Sequence, residues 1–324
     1  MNQILNAKSK YLFSIILKLV IVISAFYFIY QKIFLTNQFD LSDIIFDLTI
    51  NWGLHVIYLL FFMTISNWFL EIKKWQTLVK EIKQITFFES LQQSLGSLTA
   101  SLITPNRIGE YGAKAIYYPK EQQKKILFLN FVSNTIQMLV TVIFGAAGLF
   151  IIYESLDLSF HAQEQNILLA ALVVILFCLV VFYFRENIWN KFLKKVIYYF
   201  RSISTDTILK TVQFSIIRYL IFSHQFYFLL VIFGVELDYL TVMGIISSMY
   251  IIASIIPGFV IFDFIIKGSV AISLFGIFGV DELVVLTITT TMWMLNFALP
   301  SIAGSYFVLT FKLPEPAKIP IKTT

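Results

Sequence analysis

The segment 89–118, ESLQQSLGSLTASLITPNRIGEYGAKAIYY, decides how this chain meets a membrane, because basic residues flank it on both sides. The flanking lysines are Lys73, Lys74, Lys80 and Lys83 before it and Lys120, Lys124 and Lys125 after it. Basic connections stay in the cytoplasm during insertion, so this segment should enter and leave on the same side. Its first arm, 90–104, is short and rich in small residues, and Pro105 ends it. The sequence therefore predicts a re-entrant hairpin.

The composition indicates that the rest of the chain is also embedded in a membrane. Of 324 residues, 58% are hydrophobic and 13% are charged, which is too little charge to cover a water-soluble globule of this size. We therefore predict an all-α, polytopic helical membrane protein. The single cysteine, Cys178, allows no disulfide framework. The net charge of +5 comes from basic residues between apolar runs, so we expect no nucleic-acid partner.

Stretches of about 20 apolar residues cross a bilayer as helices, and six segments meet this requirement. They are 11–34, 52–70, 126–153, 167–184, 213–235 and 283–311. Basic residues concentrate at 73–83, 120–125, 185–210 and 312–322, which we assign to the cytoplasm, and acidic residues at 40–47, 154–164, 236–238 and 281–282, which we assign to the outside. The run 11–34 is too long for a signal-peptide core and should remain as an anchor. We predict a multi-pass protein of the cytoplasmic (inner) membrane with both termini cytoplasmic.

The segment 239–280 repeats the hairpin pattern from the opposite side. It lies between acidic connections, and Pro257 and Gly258 interrupt it, which predicts a second re-entrant hairpin unless both arms cross fully. Pro105 precedes Glu110 and Lys114, as Pro257 precedes Asp263 and Lys267. The first helix, the hairpin break and the last helix recur at offsets of 161, 152 and 157 positions, which favours an inverted-topology repeat.

We accordingly treat 1–324 as a single integral membrane domain with internal units. These are an N-terminal anchor helix and loop (11–51), repeat unit one (52–153), a connecting span and cytoplasmic loop (154–212), repeat unit two (213–311) and a cytoplasmic tail (312–324). The two hairpin tips should then approach each other near the bilayer midplane.

Polar side chains within the apolar segments are the candidate substrate-binding residues, since embedded charges are costly and usually functional. The candidates are Arg107, Glu110, Lys114, Arg218, Asp263, Lys267, Asn130, Asn134 and Gln137, with helix breaks at Pro105, Gly109, Pro257 and Gly258. One interpretation is structural: the acid–lysine pairs neutralise each other at i,i+4 and the amides bond between helices. The other is a polar cavity that contacts a headgroup or coupling ion. Arg218 shares a helical stripe with Ser215 and Gln225, and Thr289, Asn296 and Pro300 form a similar stripe on the last span.

No grouping of residues predicts a metal or cofactor site. His55 and His224 are isolated in apolar surroundings, without partners at ligand spacing. We expect both to pack as ordinary side chains and expect no cofactor.

The string Pro105-Asn106-Arg107-Ile108-Gly109-Glu110 resembles the P-x-R-x-G-E signature of the flippase-like membrane domain in lysylphosphatidylglycerol synthases and their stand-alone relatives. The segment 256–263 resembles that family's second signature, although Phe259 and Ile261 replace glycines and Asp263 replaces a glutamate. The order of spans agrees over nearly the whole chain. The resemblance implies a lipid-translocating or lipid-binding module. No large soluble aminoacyl-transfer domain follows residue 311, so we do not expect aminoacyl transfer.

The leading hypothesis is translocation or binding of a lipid or amphiphile through a midplane polar cavity between the hairpins. An anionic, glycan-linked or aminoacyl lipid would be the partner. Arg107 and Lys114 would contact a phosphate, while Glu110 and Asp263 would bind a proton or cation or hold the basic residues. One alternative is an intramembrane lipid-modifying enzyme, for which no nucleophile and base cluster is evident. Another is a non-transporting membrane partner of a synthase or glycosyltransferase.

Overall fold

The computed structural model describes residues 53–102, 104, 107–156, 197–256 and 260–312 and five helical positions between 16 and 27, without the side chains of Glu154, Leu156 and 260–264. The regular elements within these ranges are helices, in agreement with the all-α prediction. Apart from those five positions, the predicted span 11–34 lies outside the described residues, and so does the predicted span 167–184. The hairpin breaks Pro105, Pro257 and Gly258 also lie outside them.

The described helices follow the predicted order of spans and hairpins. They are α1 (Leu54–Val79), α2 (Phe87–Ser101), α3 (Ile108–Ala115), α4 (Lys120–Ile152), α5 (Thr205–Ile232), α6 (Tyr239–Ile255), α7 (Val260–Ile277), α8 (Glu282–Trp293) and α9 (Leu299–Thr310). Within the described residues, four helices are long and apolar enough to cross a membrane: α1, α4, α5 and the composite Glu282–Thr310. These four correspond to the predicted spans 52–70, 126–153, 213–235 and 283–311.

Helix α1 is longer than the predicted span 52–70, and it includes Lys74, which we assigned to a connection between helices. The helix continues to Val79, and the Lys74 side chain is only 1% exposed. Two features explain the extension. The apolar face continues through Trp75 and Leu78, which are both buried, and Glu71 forms an ion pair with Lys74 one turn away.

A π-helical turn, Met294–Ala298, joins α8 to α9. Pro300 has no backbone N–H, so the carbonyl of Asn296 loses its usual helical donor four residues later. That carbonyl accepts a hydrogen bond from the Trp68 indole instead, at 3.1 Å. The missing bond coincides with the π turn, and such turns occur often at functional sites.

The first hairpin is built from α2 and α3, whose ends have distinct local causes. A capping box opens α2: the Glu89 amide donates to the Thr86 hydroxyl at 3.1 Å, and the Thr86 amide donates to the Glu89 carboxylate at 2.6 Å. Helix α3 begins after Arg107, which has a left-handed backbone with φ of 56°. A non-glycine residue in this region is strained, and such residues cluster at functional sites.

Hairpin helices pack against helices that are distant in the sequence. Helix α2 packs against α9, and α6 packs against α4. Both contacts depend on glycine, because a Cβ atom at Gly304 would overlap the backbone carbonyl of Leu95, and one at Gly148 would lie 2.6 Å from the carbonyl oxygen of Gly244. Helix α1 packs against α5. Close backbone approach through small residues is the usual way helices associate within a bilayer.

Two apolar clusters enclose a polar layer. One is formed mainly by α5, α6, α7 and α8 and includes Leu60 of α1. The other is formed by α4 and the end of α1 and includes Trp75. Between Leu60 and Trp75, helix α1 carries Asn67 and Glu71, so the polar layer lies between the two clusters.

Candidate functional site

A cavity of about 560 Å³ occupies the polar layer between the hairpins and the long helices. This volume is within the range typical of small-molecule sites. Residues from both hairpin regions line it, including Arg107 and Glu110 from the first and Ile256 and Lys267 from the second. The two regions predicted to meet therefore contribute to the same cavity.

Glu71 is the centre of the charged network on one wall. Its carboxylate accepts a hydrogen bond from Lys74 Nζ at 2.8 Å and another from the Arg218 guanidinium. Arg218 also donates to Asn67 Oδ1 at 3.0 Å and to Gln137 Oε1 at 3.3 Å. One carboxylate thus holds two cations, and Arg218 ties α5 to both α1 and α4.

A chain of amide side chains continues this network into the π turn. Asn67 donates to Asn296 Oδ1 at 3.1 Å, and Asn296 donates to Gln225 Oε1 at 2.8 Å. Gln225 donates in turn to the Thr64 hydroxyl at 2.9 Å and to the Leu60 carbonyl at 3.0 Å. These bonds connect three of the long helices at the level of the cavity.

Lys114 forms a second charged group on α3. Its ammonium nitrogen lies 2.7 Å from Glu110 Oε1, 2.8 Å from Asn130 Oδ1 and 4.3 Å from the centre of the Trp75 ring. The Lys114 side chain is 1% exposed, so the carboxylate, the amide and the aromatic ring replace its hydration. The i,i+4 pair expected from the sequence is therefore present at Glu110.

Arg107 and Gly109 determine the position of the first hairpin against the cavity. The Arg107 guanidinium lies over the Phe297 ring, 5.3 Å from its centre. A Cβ atom at Gly109 would lie 2.6 Å from the carbonyl oxygen of Ala100, so only glycine lets α3 start this close to α2. The Gly109 amide donates to the Thr104 hydroxyl at 2.8 Å, which fixes the turn.

The other sequence-predicted residues occupy different positions relative to the cavity. Asn134 and Gln137 line it, as do Arg218 and Lys267. Asn130 is fully buried behind Lys114 and is not part of the lining. The Asp263 side chain lies outside the described residues. The polar stripe predicted on α4 therefore has two roles, since Asn130 supports a lysine while its neighbours face the cavity.

His55 and His224 are more exposed than expected for packed side chains. His55 is exposed, and His224 is partly exposed, with its ring nitrogens near the Leu220 carbonyl and the Tyr239 hydroxyl. Across the described residues, no group of three or more His, Cys, Asp or Glu side chains could hold a metal ion.

Sequence reasoning missed Asn67, Glu71 and Lys74, which line the same wall of the cavity. These residues follow the spacing i, i+4, i+7 and therefore share one face of α1. The same rule identified the stripe on α4. On α1, however, the adjacent Lys73 and Lys74 also favour a cytoplasmic boundary, which hides this stripe in the sequence.

Comparison with known protein families identifies the family of this chain. The family model described as lysylphosphatidylglycerol synthase TM region matches residues 15–304. No curated protein and no solved structure matches the chain. The match includes both hairpins, the π turn and all the cavity-lining residues, and it confirms the resemblance found in the segment 105–110. The chain is therefore a member of the lysylphosphatidylglycerol synthase transmembrane region family and a membrane protein with several apolar helices.

Proposed function

We propose that this protein binds a lipid or similar amphiphile in the cavity and translocates its headgroup across the inner membrane. The observation that carries the proposal is the charged and amide cluster around a cavity enclosed by helices of membrane-spanning length. A charge at the centre of a bilayer costs about 2.5 to 3.5 kcal/mol on insertion scales, so embedded charges are rare unless they serve a function. A polar headgroup needs such a lining to cross an apolar barrier.

We also propose that the chain is an inverted repeat with six spans, two hairpins and cytoplasmic termini. Under this proposal, Thr64 and Gln225 are equivalent residues, because 161 positions separate them, which is the offset between the first helices of the two units. Their side chains are hydrogen-bonded, as expected for equivalents near a pseudo-two-fold axis.

The glycine contacts support the same equivalence. Gly304 meets Leu95 where α9 crosses α2, and Gly148 meets Ser247 where α4 crosses α6. Leu95 and Ser247 are 152 positions apart, the offset of the hairpin breaks, and Gly148 and Gly304 are 156 apart, one less than the offset of the last helices. The two crossings therefore correspond, and rocking of one unit against the other would open the cavity to each side in turn.

Reconstitution of the protein with fluorescent lipids tests the proposed translocation. Lipids labelled on one acyl chain are incorporated into proteoliposomes, and an impermeant quencher reports the fraction that reaches the outer leaflet. We expect the wild-type protein to accelerate exchange of at least one lipid over protein-free vesicles. We expect the double variant Glu110→Gln, Lys114→Gln to fold and to lose this acceleration, because it removes a whole ion pair from the cavity without leaving a bare charge.

The matched control is Asp206→Asn, Lys210→Gln, which removes an exposed i,i+4 pair with the same 2.7 Å separation. This control should translocate lipid like the wild type. Unchanged translocation by the Glu110 and Lys114 variant would return that pair to a structural role. No acceleration by the wild type for any lipid would overturn the proposed function.

A further inference from the structure

We infer that the lipid carried is one whose headgroup has an anionic phosphate and no compensating amine, so that the cavity disfavours cationic aminoacyl lipids. This inference rests on the proposed function and names the substrate class of the same cavity. It is carried by the charges of the lining and by the Arg107 guanidinium, which lines the same cavity.

The lining has more positive than negative charge. Among the described lining residues, the basic side chains include Lys74, Arg107, Lys114 and Arg218. The acidic side chains are Glu71 and Glu110. Lys267 also lines the cavity, and the carboxyl group of Asp263, four residues earlier on the same helix, is outside the described side chains. The remaining four cations exceed the two carboxylates by two, and a low-dielectric site enlarges the effect of that excess.

Both of these carboxylates already form ion pairs with basic side chains of the protein. Glu71 holds Lys74 and Arg218, and Glu110 holds Lys114 at 2.7 Å. The ammonium group of an aminoacyl lipid would have to displace one of these partners and would then leave a buried cation without its counter-charge. An anionic headgroup meets no such obstacle.

Arg107 supplies the recognition element for the phosphate. Among the described side chains, no carboxylate lies within ion-pair distance of Arg107, and its guanidinium rests on the Phe297 ring. The planar donors of arginine suit phosphate oxygens. The left-handed backbone of Arg107 maintains this position at the cavity wall.

The test compares lipids that differ in headgroup charge in one vesicle composition. Acyl-labelled phosphatidylglycerol, phosphatidylcholine and lysyl-phosphatidylglycerol carry net charges of −1, 0 and +1, and a labelled polyprenyl phosphate distinguishes the two sources of a lipid phosphate. We expect phosphatidylglycerol or polyprenyl phosphate to exchange at least about tenfold faster than the lysyl lipid, because all of them carry a phosphate but the cationic lining repels the lysyl ammonium groups. Equal rates for all headgroups, or fastest exchange of the lysyl lipid, would overturn the inference while leaving translocation itself intact. No exchange of any lipid would instead overturn the proposed function.

Variants at Arg107 link this selectivity to the structure. Arg107→Gln should slow phosphatidylglycerol about tenfold and reduce its advantage over the lysyl lipid, because the lining loses one cation, whereas Arg107→Lys, which keeps the charge, should recover part of the loss. Arg201→Gln is the matched control because Arg201 is exposed and outside the cavity. The thermal stability of each variant in detergent separates misfolding from lost recognition. A folded Arg107→Gln protein that retains the wild-type preference would exclude Arg107 as the recognition element.

Discussion

Neutralising Glu71 should destabilise the protein more than neutralising Glu110, although both are carboxylates of buried ion pairs with 12% side-chain exposure. Removing one partner of a buried pair costs about 3 to 5 kcal/mol, because the other charge remains buried without compensation. In Glu110→Gln, Lys114 keeps the Asn130 amide and the Trp75 ring. A desolvated cation–π contact contributes about 2 kcal/mol, so the loss should fall near or below the lower end of that range.

Glu71→Gln leaves two cations, Lys74 and Arg218, without their carboxylate, whereas Glu110→Gln leaves only Lys114. Arg218 keeps its bonds to Asn67 and Gln137, but Glu71 is the carboxylate on which Lys74 depends in the described structure. The loss should therefore reach the upper end of the range, about 5 kcal/mol, or prevent folding.

The free energy of unfolding, measured by equilibrium titration with a denaturing detergent in mixed micelles, gives the comparison. Asp206→Asn serves as the control, since it breaks an ion pair whose side chains are 67% and 49% exposed and should cost less than about 1 kcal/mol. If Glu71→Gln does not fold, Glu110→Gln must still fold, and its free energy of unfolding must fall by no more than about 3 kcal/mol. A Glu71→Gln protein as stable as the wild type, or a Glu110→Gln protein less stable than Glu71→Gln, would refute this reasoning.

Three further predictions concern packing, pH and topology. Gly304→Ala should lower the free energy of unfolding by about 1 to 3 kcal/mol, because its Cβ atom would overlap the Leu95 carbonyl, whereas Gly276→Ala, with no heavy atom within 4 Å of its Cβ position, should not; equal losses would contradict the close contact. The Thr86 amide donates to the Glu89 carboxylate and holds the pKa of Glu89 below its usual value. The stabilisation from the ionised Glu89 should be complete above pH about 4.3 and disappear as the pH falls through the lowered pKa. The difference in unfolding free energy between wild type and Glu89→Gln should therefore shrink with acidification. A difference that stays constant with pH would argue against the capping role. Cysteines introduced one at a time at Lys8, Lys195 and Lys318 on a Cys178→Ser background should resist an impermeant thiol reagent in intact cells. Glu236→Cys is the control that should be labelled. External labelling at any of the three lysine positions would refute the topology.

The helical membrane class and the positions of four long helices could be predicted from the sequence. Long apolar runs indicate helices in lipid, because every backbone polar group there must be satisfied within the helix. The Glu110 and Lys114 pair was predictable for a local reason, since i,i+4 spacing brings two side chains together on any helix. The family was also predictable, because the segment 105–110 is a contiguous motif.

The tertiary structure decided which polar residues form one site. Asn67 and Asn296 are 229 positions apart and Glu71 and Arg218 are 147 apart, so no local periodicity relates them. Their contacts exist because α1 packs against α5 and against the π turn, where Pro300 leaves the Asn296 carbonyl to accept from Trp68. Lys74 illustrates the difference most clearly. In the sequence it belongs to a basic segment at the end of an apolar run, but in the folded protein it is buried, pairs with a carboxylate one turn away and lines the cavity.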